Sequence, residues 1–107
     1  MVEQGAEMFV VCSAWPHPRL EPWRLFNRVR AMENQCFLVS ANSVGANGGR
    51  TFVGHSMIVD PWGAVVAEGG EEETIVRAEI DIGQVHTARK EFPALASRVG
   101  WLHSPDR

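Results

Sequence analysis

Two cysteines, four histidines and a single lysine are the side chains of this sequence best suited to attack a carbon, hold a metal or carry a proton. Cys36 stands in ENQCFLVSA, three residues after Glu33. A nucleophilic cysteine needs access and a pKa lowered by positive charge or a helix N-terminus. Cys36 instead follows a helical pattern, where the C-terminal dipole disfavours a thiolate. It also opens an apolar run, and free cysteine is among the most buried residue types. The residues therefore read Cys36 as packing. Cys12 closes the apolar run MFVVC just before a loop, the kind of strand end at which sites gather. The two could form one disulfide, but their number does not describe a disulfide-stapled secreted module, and they read as reduced thiols.

His17, His55, His86 and His103 lie far apart, and no pair has a metal-ligand spacing. No Cys-x-x-Cys accompanies them, so a zinc site is not expected. His17 shares a proline-rich loop with Trp15. An aromatic and a polar group on a rigid loop can line a pocket, or the histidine can simply be solvated. Gly45, Gly48 and Gly49 form neither a P-loop nor a G-x-G-x-x-G fingerprint. Glu71, Glu72 and Glu73 read as a solvated connection. Lys90, between Arg89 and Glu91, reads as a surface residue.

These side chains must be carried by regular elements. MFVVC (8–12) is short, apolar and bounded by Gly5 and Pro16, as expected of a strand covered on both faces. SAWPHPRLEP holds too many prolines for a helix or a central strand and forms a shaped loop. Pro22 can start a helix over 22–35, in which Leu25, Val29, Met32 and Cys36 make one apolar stripe. CFLVSA (36–41) is a second buried-type strand, and NSVGANGGR a loop. FVGHSMIVD and AVVAE read as strands around Asp60-Pro61-Trp62-Gly63, which carries type I turn preferences. TIVRAEID (74–81) reads as a half-exposed strand with Val76, Ala78 and Ile80 on one face. A short helix follows over 82–91, then a tail. The order is β, α, β, β, β, β, α, with few helices to cover the strands, so an apolar sheet face is expected to stay open.

The chain has 107 residues and a formal charge of −3, enough for one small domain. No basic stripe marks a nucleic-acid surface, and no apolar run reaches the ~20 residues that span a bilayer. MVEQGAEMF lacks the pattern of a signal peptide, which leaves a cytoplasmic location as the expectation.

Taken together, three segments resemble a known family. GAEMFVVCSAWPHPRLEPWRLFNRVRAMENQCFLVSANSVG, GHSMIVDPWGAVVAEGGEEETIVRAEID and RKEFPAL are similar to the C-terminal half of carbon–nitrogen hydrolases, the nitrilase superfamily. The most specific combination is R-A-x-E-N-Q leading into a strand that ends S-A-N, followed by G-H-S-x-I-V-D-P-x-G. The resemblance covers about Gly5 to Leu95. It implies an α/β fold, a partial α-β-β-α sandwich of the nitrilase type, with residues 1–95 as the C-terminal part of the domain and 96–107 as a tail.

The resemblance also implies chemistry. Enzymes of this family cleave non-peptide C–N bonds of small amides, carbamoyl amines or nitriles, with a Glu base, a Lys and a Cys nucleophile, and without cofactor or metal. In the family those residues precede the segment matching GAEMFVV. Cys12 falls where Pro or Ala often precedes S-A-W, Cys36 matches a core cysteine, and Lys90 matches the R-K/E-E-F-P helix, not the catalytic lysine. No catalytic residue is therefore assigned here, and the chain is expected to be inactive alone. By resemblance, Ser13, Trp15 and Asn42 line one side of the substrate pocket. The implied partners are a small amide or nitrile for the full-length family, and either a second copy of the chain or the missing N-terminal half. Neither nucleic acid nor membrane is expected as a partner. The alternative is a non-catalytic half-sandwich that binds a partner or ligand.

Overall fold

The computed structural model describes residues 2–93. After a 3-10 turn at Val2–Gln4 the order is β1 (Met8–Ser13), α1 (Leu20–Asn34), β2 (Phe37–Asn42), β3 (Ala46–Asn47), β4 (Arg50–Thr51), β5 (Met57–Val59), β6 (Val65–Glu68) and α2 (Gly83–Glu91). One sheet has the strand order β1-β2-β5-β6, and β3 and β4 form a separate two-stranded hairpin. β1 and β2 are parallel, in register from Met8 opposite Phe37 to Ser13 opposite Asn42. A parallel pair requires a crossover, and α1 supplies it.

β2 to β5 and β5 to β6 are antiparallel, so β5 and β6 need only a turn. The expected turn is there. Gly63 N–H donates to the Asp60 carbonyl at 2.9 Å. Asp60 Oδ1 accepts the backbone N–H groups of Trp62 at 2.9 Å and Ala64 at 3.0 Å. Gly63 has a φ of 86°, a conformation that glycine adopts without steric cost.

α1 starts at Leu20, two residues before the expected start. Pro22 lies in its first turn, where the N–H has no intrahelical partner in any case. The larger correction concerns which face is buried. Leu25, Val29 and Met32 were expected to point to the core, yet Leu25 is 61% and Met32 52% exposed. The buried face is Trp23, Asn27 and Ala31, spaced by four. The reason is the indole of Trp23: it is the largest buried side chain, and its Nε1–H finds the His55 carbonyl at 2.9 Å. An apolar stripe with no polar handle loses to a buried tryptophan whose one donor is satisfied.

The core formed by Trp23, Ala31, Leu38, Val53, Met57 and Val59 lies between α1 and the sheet, with Phe9, Val11, Trp15, Leu20 and Phe26 packed against it. β1 corrects the expectation of a strand covered on both faces. Its burial alternates, with Phe9 and Val11 turned to the core and Met8, Val10 and Cys12 exposed. Val10 is 72% exposed. β1 is also an edge strand, so the described residues leave both an apolar face and a backbone edge open.

Three further expectations change. NSVGANGGR contains the β3–β4 hairpin. FVGHSMIVD is a strand only over Met57–Val59, because Gly54 and His55 take positive φ values of 64° and 54° and break the ladder before it. The 74–81 segment forms no strand: it pairs with no described strand, and Ile75 is 76% exposed. Residues 76–79 instead run beside Ile58 and line a shallow cleft with it. α2 matches the expected helix. It is anchored by Gln35, whose Nε2 donates to the carbonyls of Ala88 at 3.2 Å and Phe92 at 2.6 Å. Arg89 reaches back to the carbonyls of Ala6 and Asn34. The expected tail at 96–107, and the domain boundary at 95, lie outside the described residues.

Candidate functional site

The parallel register carries Ser13 and Asn42 to the same end of β1 and β2, directly opposite each other. Beyond this point the two strands part, and side chains and loops replace the ladder. Ser13 keeps its carbonyl engaged, accepting Ser43 N–H at 3.1 Å and Ser43 Oγ at 3.3 Å. Asn42 is buried, and its carboxamide serves three backbone groups. Oδ1 accepts Trp15 N–H at 2.7 Å, while Nδ2 donates to the Trp15 carbonyl at 3.4 Å and to the Gly54 carbonyl at 2.9 Å. Its own N–H donates to Ser56 Oγ at 2.9 Å.

Trp15 is thus held by its backbone, and by its ring as well. Its Nε1–H donates to the Arg19 carbonyl at 2.8 Å. The ring lies 5.5 Å from Trp23 and 5.8 Å from Phe26, centroid to centroid. On its outer side the Trp15 loop is stitched to the strand that leaves the hairpin: Val53 N–H donates to the Trp15 carbonyl at 3.0 Å, His17 N–H donates to the Thr51 carbonyl at 2.9 Å, and Pro16 bridges Phe52. His17 Nε2 meets Glu71 Oε1 at 2.6 Å. Ser13, Trp15 and Asn42 are therefore brought together at one sheet end, where the Trp15 loop is braced from three sides.

The two thiols are not brought together. Both are free. Cys36 precedes β2, at the opposite end of the pair, and is 0% exposed. Burial pushes its thiol pKa up, partly offset by the Arg89 guanidinium. That is the environment of an inert core thiol. Cys12 lies one residue before Ser13 on the open face of β1. Lys90 is exposed on α2, as expected.

A second polar cluster was not anticipated from the sequence. His55 Nδ1 meets Glu68 Oε2 at 2.6 Å. Arg24 grips the same carboxylate with both arms, Nε to Oε2 at 3.0 Å and Nη2 to Oε1 at 3.1 Å. Burial alone would raise the Glu68 pKa, but the hydrogen bonds from Arg24 and His55 outweigh it and hold the carboxyl below its usual range. The fork pairing in turn raises Arg24. The cluster ties α1, the approach to β5 and β6 together. Its partners are 44 and 13 residues apart, a separation no local pattern signals. The three described histidines each face a glutamate, His86 meeting Glu7 at 2.6 Å. Among the described residues no three His, Cys, Asp or Glu side chains converge as a metal site.

Comparison with known proteins adds to this geometry. A family profile described as carbon-nitrogen hydrolase matches residues 1–90. This chain belongs to the carbon-nitrogen hydrolase family. As a member of that family it is 48% identical to the 2-oxoglutaramate amidase of Bacillus subtilis (strain 168) over 90 residues, which cover 84% of this chain and 35% of the amidase. The crystal structure of the Caenorhabditis elegans NitFhit protein superposes with a TM-score of 0.88 at 41% identity, covering 96% of this chain and 26% of that one. A carbon-nitrogen hydrolase from Helicobacter pylori G27 superposes with a TM-score of 0.84 at 26% identity, covering 92% of this chain and 40% of that one. The carbon-nitrogen hydrolase chain thus spans well under half the length of these relatives. Among the described residues no helix is long and apolar enough to cross a membrane.

Proposed function

We propose that this chain is the C-terminal part of an amidase of the carbon-nitrogen hydrolase family, forming one wall of the substrate pocket without supplying the reacting groups. The observation that carries the reading is that neither thiol points into the braced sheet end. Cys36 is sealed in the core. Cys12 shares the open sheet face with Met8 and Val10; it stands one residue before Ser13 but on the opposite face of β1. The resemblance assigns the Glu base, the Lys and the Cys nucleophile to the portion upstream, and the open face and edge of β1 offer that portion a surface to pack on. The completed domain is then an α-β-β-α sandwich. In it the Trp15 loop, with Ser13 and Asn42, lines the pocket. The likeness to a 2-oxoglutaramate amidase favours a small amide over a nitrile as substrate.

The test measures ammonia from small amides, 2-oxoglutaramate among them, from N-carbamoyl compounds and from nitriles. The expected result is no turnover by the chain alone, and turnover when it is co-expressed with the upstream portion of the Bacillus subtilis relative. Catalytic turnover by the isolated chain that disappears in Cys12→Ala would overturn the reading.

A second copy of the chain is the other partner supported by the surface. Leu25, Val29 and Met32 form an apolar stripe on the outer side of α1, beside a groove of about 400 Å³ lined by Pro22, Phe26 and Glu33 among others. The competing reading, a non-catalytic module that is complete in itself, requires a stable monomer despite these open surfaces.

A further inference from the structure

We propose that Asn47 is a site of spontaneous covalent modification, which converts itself to an aspartyl or isoaspartyl residue through a cyclic imide formed with Gly48. The carboxamide carbon of any asparagine is placed to form a five-membered ring with the next backbone nitrogen. What usually prevents closure is a side chain on the next residue, a hydrogen bond holding the carboxamide, or a backbone held rigid by its surroundings. Three of the four asparagines have such restraints. Asn27 Nδ2 donates to the Trp23 carbonyl at 2.8 Å and Asn34 Nδ2 to the Arg30 carbonyl at 2.9 Å, both within α1. Asn42 is buried and bonded to Trp15 and Gly54. Their next residues are Arg28, Gln35 and Ser43.

Asn47 differs on each count. It is exposed, and its side chain makes no hydrogen bond among the described residues. It is followed by Gly48, around which the space is open. It lies in a hairpin whose strands are two residues long, Ala46 opposite Thr51 and Asn47 opposite Arg50. Gly48 and Gly49 form the tip, with φ values of 61° and 78°. Positive φ at both central residues is the signature of a tight hairpin turn. A two-stranded hairpin this short has little stability of its own, and exposed loop tips are where chains yield first. The backbone therefore opens readily to the conformation the ring requires.

The chemistry balances without any oxidant. Gly48 gives up its amide proton to solvent base, and its nitrogen bonds to Asn47 Cγ. The tetrahedral centre then expels ammonia and leaves the imide. Water adds to one of the two imide carbonyls and breaks its C–N bond. Cleavage at the side-chain carbonyl gives an aspartyl residue. Cleavage at the main-chain carbonyl gives an isoaspartyl residue, with the chain rerouted through an extra methylene. One water is consumed and one ammonia released.

The position gives this change a consequence. The rerouted product inserts a backbone atom beside the Asn47–Arg50 pair. The strand leaving the hairpin braces the Trp15 loop through the Thr51 carbonyl and Phe52, so its register with that loop is disturbed.

The experiment incubates the purified full chain at mildly alkaline pH and maps the tryptic peptide Ala31–Arg50, which carries Asn34, Asn42 and Asn47 together. The expected result is conversion at position 47 alone, faster at higher pH, with one equivalent of ammonia per chain whether or not an amide substrate is added. Gly48→Ala, which keeps the asparagine but crowds the nitrogen, should slow conversion several-fold. Asn47→Gln should abolish the ammonia. An Asn47 that keeps its amide while a free peptide spanning Ala46–Arg50 converts would overturn the proposal, as would equal conversion at Asn34 or Asn42.

Discussion

Asn42 meets Trp15 as a second peptide group would, with Oδ1 accepting the Trp15 N–H at 2.7 Å and Nδ2 donating to the Trp15 carbonyl at 3.4 Å. The pairing occurs just where the β1–β2 ladder ends, so one side chain carries the sheet's hydrogen bonding one step further into the loop. Asn42→Ala leaves Trp15 N–H and the Gly54 carbonyl without their partner. Unsatisfied buried groups cost about 1–3 kcal/mol each. The expected outcome is a lower denaturation midpoint and faster amide exchange at Trp15 and Val53. Unchanged exchange at both would mean that the backbone stitches suffice without the carboxamide.

Cys36 is expected to behave as packing alone. Cys36→Ala removes a fully buried thiol and should cost on the order of 1–2 kcal/mol. In the native chain a thiol reagent should label Cys12 and leave Cys36 untouched until unfolding. Native-state labelling of Cys36 at the rate of a free thiol would contradict its burial.

Glu68 gives the fold a pH dependence whose sign follows from its environment. Its folded pKa is lowered by Arg24 and His55 despite burial. The charged form is therefore favoured in the folded state. This stability is fully present above the unfolded carboxylate pKa and is lost as pH falls through the lower, folded pKa. Urea titrations across the acid range should show stability decreasing through that window, and Glu68→Gln should be less stable at neutral pH and flatter with pH. An equal acid slope in Glu68→Gln would assign the effect to other carboxylates.

Gly54 and Gly48 offer a paired test of conformation against space. Both have positive φ, 64° and 61°. A Cβ on Gly54 would lie 2.5 Å from the Gly70 carbonyl oxygen, whereas Gly48 has nothing within 4 Å. The conformational cost common to both is about 1 kcal/mol or somewhat more. Gly54→Ala should therefore be clearly more destabilising than Gly48→Ala in denaturant unfolding. Equal losses would show that the backbone at Gly70 moves aside freely.

Self-association should respond to where apolar surface is exposed. Contiguous apolar patches of more than a few hundred Å² are uncommon on soluble monomers, and a bare strand edge invites pairing. Light scattering and ANS fluorescence should report association of the isolated chain. Leu25→Asp should weaken it if α1 is the seam, and Val10→Asp if the open face of β1 is. A clean monomer that binds no ANS and unfolds cooperatively would refute the incomplete-domain reading and favour an independent module.

The sequence by itself determined several of the local elements and the family. The apolar runs at 8–12 and 36–41, the Asp60–Gly63 turn and the α2 helix were legible because short-range chemistry decides them. Strand runs need β-formers, the turn needs Asp, Pro and Gly at set positions, and a helix needs its period. The burial of Cys36 was legible for the same reason. Tertiary structure alone decided which stripe of α1 faces the sheet. Leu25, Val29 and Met32 and the set Trp23, Asn27 and Ala31 both satisfy helical spacing, and the choice rests on a partner for the Trp23 indole 32 residues away, at His55. The same holds for 74–81. Its alternation is that of a strand, but a strand is made by its ladder, and this segment pairs with none of the described strands. The Arg24–Glu68–His55 cluster and the Asn42–Trp15 pairing were illegible as contacts for a single physical reason: side chains far apart in sequence meet only when strand pairing brings them together, the parallel β1–β2 register for Asn42 and the Trp15 loop, and the antiparallel β5–β6 pair beside α1 for Arg24, Glu68 and His55.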